Sequence, residues 1–283
     1  MRLVRFGEVG YEEPGVVLED GRVMDASAVV RDYDEGFFAC GGLESLAQWI
    51  EDGCVGGVLV DEGMRRGAPV KRPSKIICVG KNYMDHVAEF DHLVPEEPVL
   101  FMKATSAYCS PHEDVRIPKG SEKLDYEVEL AVVIGRTASY VQQKDAREYI
   151  AGYSVICDYS ERSFQKERSG QWVKGKSADT FAPMGPCMVT KDEVPNPNAL
   201  RLWCKVNGEL RQNGWTGDMR FSVDSLVSYI SGFMTLLPGD VIATGTPGGV
   251  GMGFKPPRYL QVGNSVEFGI EGIGENRQRV VAF

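Results

Sequence analysis

The 283-residue sequence predicts an α+β fold dominated by sheet. Three observations carry that expectation. From residue 75 onward, short apolar runs alternate with turn residues. The 33 glycines and 15 prolines supply those turns and interrupt long helices. Only a few segments repeat apolar residues at helical spacing.

Residues 1–70 read as a small N-terminal α/β domain. Its strands are expected at 3–6 and 15–18, with Asp20-Gly21 as a hairpin turn leading into 22–24. Leu43, Leu46, Ala47 and Ile50 then place one amphipathic helix. Pro69, Arg72 and Pro73 punctuate the end of this unit, leaving 71–283 as the larger domain. There the expected strands are 76–79, 99–102, 124–134, 153–157, 202–206, 241–244 and 265–270. Helices are expected at 85–91, 146–150 and 222–236, the last because Val223, Leu226, Val227 and Ile230 share a face.

Composition excludes several function classes. No apolar run reaches the roughly 18 residues of a membrane-spanning helix. The opening MRLVRFGEVGYEEPG lacks the apolar stretch of a secretory signal. Seven cysteines without a CxxC pair predict neither a disulfide framework nor a zinc cluster, and fit a reducing cytoplasm. A net charge of −9 has the wrong sign for nucleic acid or an anionic membrane.

The most informative stretch is Leu124-Asp125-Tyr126-Glu127-Val128-Glu129-Leu130. Side chains alternate along a strand, so Asp125, Glu127 and Glu129 share one face. A half-exposed strand with a wet acidic face is one reading. The other is a cation site, because the apolar run at 131–134 marks a central strand and Glu is a poor strand former. Close carboxylates repel by roughly 4 kcal/mol per pair near an effective dielectric of about 20. A hard divalent cation reverses that repulsion. The strand at 153–157 ends in Asp158, a candidate third ligand where a loop begins. Oxygen ligands alone point to Mg²⁺ or Mn²⁺ rather than zinc.

His86 and Glu89 stand three apart and would be neighbours on a helix. Such a pair can share a proton and activate water, although a solvated helix face has the same spacing. Two glycine-rich segments invite other readings. Residues 170–177 match GxxxxGK[ST], but the charged upstream QKERS and the downstream Pro183 and Pro186 deny it the strand and helix of a phosphate loop. Residues 244–251 lack GxGxxG spacing, and are read as a tight turn or as a loop offering N–H groups and a Thr hydroxyl to an anionic oxygen.

The blocks GKNYMDHVAEF, PVLFMK, LDYEVELAVVIG, GYSVICDYSERSFQ, GKSADTFAPMGP and PGDVIATGTPGGVG occur in that order. Together they resemble the fumarylacetoacetate hydrolase superfamily. The resemblance implies a mixed β-roll catalytic domain behind a smaller N-terminal domain, a homodimer or higher homo-oligomer, and one Mg²⁺ or Mn²⁺. By position it implies Glu127, Glu129 and Asp158 as metal ligands, and His86 with Glu89 as the water-activating pair on a short helix. Lys176 would face developing negative charge, while Tyr83, Arg162, Gln165 and Thr246 would contact a small anionic keto acid. Asp125 matches no usual ligand position.

Cys157 stands where many relatives have Asn, Ser163 where they often have Asp, and Val79 where the animal branch has a carboxylate. The resemblance implies C–C bond hydrolysis of a 2,4-diketo acid. The wording SERSFQ and GQWVKGKSADTFAPMGP is most similar to the branch acting on 2,4-diketo-3-deoxy-L-rhamnonate or -fuconate, which yields pyruvate and lactate. Ureidoglycolate lyase, oxaloacetate decarboxylase and hydroxydienoate isomerase are the alternatives within the superfamily. A catalytically silent binding protein and a nucleotide hydrolase are the alternatives outside it.

Overall fold

The computed structural model describes residues 1–89 and 94–283. Its largest sheet runs in the order Val23–Asp25, Glu13–Val17, Arg2–Phe6, Ala182–Thr190, Ile150–Cys157, Val128–Ile134, Val241–Ala243, Ile76–Gly80 and Val99–Lys103. Neighbours on this path are antiparallel, except that Val241–Ala243 and Ile76–Gly80 run parallel. A second sheet is built from Glu209–Trp215, Arg201–Val206, Ser265–Ile270, Gly274–Ala282 and Val115–Ile117. A two-stranded ladder joins Leu124–Asp125 to Ser160–Glu161. The α+β expectation holds: helices are short and sheet dominates.

Residues 1–70 are not packed apart from the rest. Arg2–Phe6 pairs with Ala182–Thr190, so the N-terminal strands extend the same sheet. One hydrophobic cluster runs from Leu3 and Val16 through Val132 and Ile156 to Val280. The helix around Leu46 is present as Gly42–Glu51, burying Leu46 and Trp49.

Other differences have local causes. The expected strand at 124–134 is broken: Tyr126 and Glu127 lie between Leu124–Asp125 and Val128–Ile134. Gln212 from the second sheet bonds the Val128 N–H at 3.1 Å at this break. Residues 143–149 form a 3-10 turn rather than an α-helix, and Ile150 already begins the next strand. The helix at 222–236 is shorter, Val223–Ser231, with the Ser222 hydroxyl capping its N-terminus. The helix expected at 85–91 is Met84–Ala88, and residues 90 and 91 lie outside the described residues.

Ala182–Thr190 escaped the sequence reading because Pro183 and Pro186 argue against a central strand. The register with Ile150–Cys157 shifts opposite Pro186, which absorbs the missing donor. Gly274–Ala282 escaped for another reason. Its inward positions include Asn276 and Gln278, which bond the carbonyls of Gly185 and Glu113, so no apolar alternation marks it. No helix among the described residues is long and apolar enough to cross a membrane.

Candidate active site

Val128–Ile134 is buried along its whole length, and a strand buried on both faces should read as continuously apolar. Glu129 violates that rule at 2% exposure. The ladder with Ile150–Cys157 sets Val128 opposite Cys157, so Glu127 and Asp158 leave the sheet side by side. The Asp158 N–H donates to the Glu127 carbonyl at 2.8 Å and closes that pair. Carboxylate oxygens of Glu127, Glu129 and Asp158 thereby lie within 4.8 Å of one another, all buried.

Three buried cations meet these acids. Lys176 Nζ donates to Glu127 Oε2 and Asp158 Oδ2, each at 2.6 Å. Arg162 Nη2 donates to Glu127 Oε1 at 2.7 Å, Nε to Asp125 Oδ2 at 2.9 Å and Nη1 to Gln165 Oε1 at 3.1 Å. Lys103 bonds the remaining Asp158 oxygen and the Tyr159 carbonyl. Burial pushes the Glu127 carboxyl upward, but Arg162 and then Lys176 outweigh it and hold it well below the usual range. Burial pulls Lys176 downward, yet Asp158 and Glu127 keep it protonated.

Glu129 differs. It accepts the Gly245 N–H at 2.8 Å, and among the described residues no cation forms a salt bridge with it. Burial first, then the charges of Asp158 and Glu127, raise its carboxyl well above the ordinary value. The connected cluster of Asp125, Glu127, Glu129 and Asp158 with Arg162, Lys176 and Lys103 has one carboxylate more than it has cations. An oxygen-only donor set with a residual negative charge fits a hard divalent cation.

The cavity above this floor has a volume of about 280 Å³, and its wall includes His86, Glu127, Glu129, Arg162, Gln165, Lys176 and Thr246. On the short helix, His86 Nδ1 lies 3.1 Å from Glu89 Oε2. The other Glu89 oxygen accepts the Gly249 N–H at 2.6 Å.

That contact reveals what the glycine-rich loop does. Gly245, Gly248, Gly249 and Gly251 donate their N–H groups to Glu129, Asp85, Glu89 and Asp125. The loop therefore orients the chain's own carboxylates. Gly249 is indispensable there, because φ is 100° and a Cβ would sit 1.9 Å from the Arg211 carbonyl oxygen. The Thr246 hydroxyl donates to the Val128 carbonyl at 2.8 Å and accepts from Gln212 at 2.7 Å.

The structure thus gathers nine of the ten expected site residues around one cavity and its floor. Tyr83 is the exception. It is the N-cap of the short helix, belongs to the hydrophobic core at 0% exposure, and does not line the cavity. The GxxxxGK[ST] match also resolves: Lys176 is spent on Glu127 and Asp158, and 173–176 is a single helical turn.

Three supporting residues went unrecognised. Lys103 ends an otherwise apolar strand, a signal that was readable. Gln212 carried no signal, because its partners are distant in sequence. Asp125 is no ligand but the anchor of Arg162 and of the Gly251 and Met252 amides. Asp125→Ala leaves Arg162 short of a partner at full burial and is expected to cost about 3–5 kcal/mol in denaturant unfolding. An unchanged unfolding midpoint would refute that role.

Residues 75–281 match the family described as fumarylacetoacetate (FAA) hydrolase, C-terminal. A Burkholderia multivorans protein named only provisionally as a hydrolase is 50% identical over 98% of both chains. The fumarylacetoacetate hydrolase of Exiguobacterium antarcticum is 37% identical with a TM-score of 0.86, covering 100% of both chains. The 2-hydroxyhepta-2,4-diene-1,7-dioate isomerase of Mycobacterium marinum is 32% identical with a TM-score of 0.75, covering 100% of this chain and 98% of that one. A buried acid triad, a histidine–glutamate pair above it and collinear similarity across the whole chain converge on one conclusion: this protein belongs to the fumarylacetoacetate hydrolase family.

Proposed function

We propose that the chain is a hydrolase that breaks the C3–C4 bond of a 2,4-diketo acid and releases pyruvate, with Mg²⁺ or Mn²⁺ held by Glu127, Glu129 and Asp158. The carrying observation is the His86–Glu89 pair, with His86 on the wall of the cavity whose floor is the acid triad. A divalent cation bound there supplies Lewis-acid stabilisation of negative charge on the substrate's oxygens.

The chain's own groups do the rest. Glu89, fixed at one oxygen by Gly249, accepts a proton from water through its other oxygen or through His86. The hydroxide adds to C4, the C3–C4 bond breaks, and its electron pair passes to C3 as the enolate of pyruvate. His86 returns the proton to C3. Lys176, charged and buried, faces the negative charge that develops. Arg162, Gln165 and Thr246 line the wall where the substrate's carboxylate docks.

The identity of the acyl part is the finer question. The branch resemblance names a deoxy-sugar acid, with a neutral hydroxylated arm. A second reading, tautomerisation of a hydroxydienoate, is favoured by the similarity to the isomerase and needs the same base without water attack. The test is incubation with acylpyruvates and with a hydroxydienoate, following pyruvate and the diene absorbance. Pyruvate release that stops with EDTA and returns with Mg²⁺ supports hydrolysis. Loss of diene absorbance without pyruvate overturns it in favour of isomerisation.

A further inference from the structure

Val128 stands between Glu127 and Glu129, so whatever fixes its peptide fixes the spacing of two of the three acids. The sheet does not fix it alone. On the side away from Ile150–Cys157, the neighbouring strand Val241–Ala243 pairs only with Ala131, Val132 and Val133. The N–H and carbonyl of Val128 lie beyond that ladder, and buried backbone groups must find partners. The N–H goes to the Gln212 side-chain carbonyl at 3.1 Å, and the carbonyl accepts the Thr246 hydroxyl at 2.8 Å.

Gln212 makes a second link. Its amide nitrogen donates to the Thr246 hydroxyl at 2.7 Å and to the Pro247 carbonyl at 2.9 Å. The orientation of the amide is forced, since a backbone N–H requires its oxygen and a backbone carbonyl requires its nitrogen. Pro247 lies midway between Gly245, whose N–H holds Glu129, and Gly249, whose N–H holds Glu89.

The strand carrying Gln212 is shaped for this contact. Glu209–Trp215 is the edge of the second sheet, and Gln212 is its one buried residue, at 0% exposure. Leu210 faces Lys205 and Gln212 faces Cys204, so the register skips Arg211. A bulge of this kind re-aims a side chain and is common beside active sites. Strand and loop also touch directly: a Cβ added to Gly214 would come 2.5 Å from the Pro247 side chain.

We infer that Gln212 is a positioning residue that ties the acid triad to the histidine–glutamate pair. One side chain sets the Val128 peptide between two metal ligands and the loop that orients Glu89. This rests on the metal and base assignments proposed above. Gln212 does not line the cavity, and it acts through Val128 and the loop.

The test is Gln212→Met in the full-length protein, which nearly keeps the shape and removes the hydrogen bonds. Three quantities are measured: Mn²⁺ affinity by calorimetry, kcat and KM for the acylpyruvate that the unmodified protein cleaves best, and the ring resonances of His86 without metal. Mn²⁺ affinity and kcat are each expected to fall by about 10–100-fold, the usual effect of losing a partner behind metal ligands. The His86 signals should move while those of His112 stay. Gln212→Asn, whose amide is one methylene too short to span both links, gives the same changes and serves if Gln212→Met does not fold. Val266→Ala, a core truncation in the same sheet, lowers the thermal midpoint without moving any of the three quantities. Wild-type values in both Gln212 variants, a change in metal affinity without one at His86 or the reverse, or equal changes in Val266→Ala overturns the inference. An unmodified protein that binds Mn²⁺ but cleaves no acylpyruvate ends the cleavage reading alone, and metal affinity with the His86 spectrum then decides the role of Gln212. An unmodified protein that binds no Mn²⁺ retires both.

Discussion

Glu89→Gln is expected to lower turnover by about 10²–10⁴-fold, the usual contribution of a positioned acid–base group. The substitution is close to isosteric. The amide oxygen can still accept the Gly249 N–H, so the loop and the short helix keep their contact. What disappears is a carboxylate beside His86 Nδ1, and with it the acceptor that drives a proton off water. Glu89 is not one of the three acids of the triad, so titration with Mn²⁺ should give a wild-type affinity. Pyruvate release in the steady state and calorimetry with the metal read the two effects separately. Near-normal turnover would assign the base elsewhere, and lost metal binding would show that Glu89 acts on the ion.

The second large effect separates two ligands that look alike in the sequence. Glu127→Ala and Glu129→Gln should both abolish metal binding, yet they should shift metal-free stability in opposite directions. Glu127 is bonded to Arg162 and Lys176, and its removal takes one of two carboxylate partners from each buried cation, leaving Arg162 with Asp125 and Lys176 with Asp158. In EDTA this is expected to cost about 3–5 kcal/mol. Glu129 has a backbone amide for a partner and sits beside two like charges. Glu129→Gln removes a destabilising charge and should raise the thermal midpoint in EDTA.

The pH dependence follows from the same group. The folded-state pKa of Glu129 is raised above its ordinary 4.5, so the unfolded chain gives up the proton first. The contribution of Glu129 to metal-free stability therefore falls as pH climbs above about 4.5, and Glu129→Gln should remove that fall. Unfolding curves across pH in EDTA check both statements. A lower midpoint for Glu129→Gln at neutral pH would mean that the carboxylate is stabilised by something other than a metal.

Much of the site was legible because its residues are clustered along the chain. Glu127 and Glu129 lie two apart, His86 and Glu89 three apart, and Arg162 and Gln165 three apart, each a spacing that local structure converts into proximity. Asp158 was legible because a strand ends immediately before it. The strands without apolar alternation were not. Pro186 hides in a register shift, and Asn276 and Gln278 face inward with their amides satisfied by carbonyls far along the chain.

The sequence by itself determined which chemistry is present: carboxylates where a strand should be apolar, a histidine with one glutamate at helical spacing, and a glycine-rich turn after a strand. Local periodicity suffices for those, since it depends only on neighbours. Tertiary structure alone decided where the charges go. It set Lys103, Lys176 and Arg162 against particular carboxylates, left Glu129 without a salt bridge among the described residues, turned the glycine loop toward the protein's own acids, and drew Tyr83 into the core. Those outcomes depend on pairing between segments dozens of residues apart, and on the cost of burying each charge, neither of which a local pattern contains.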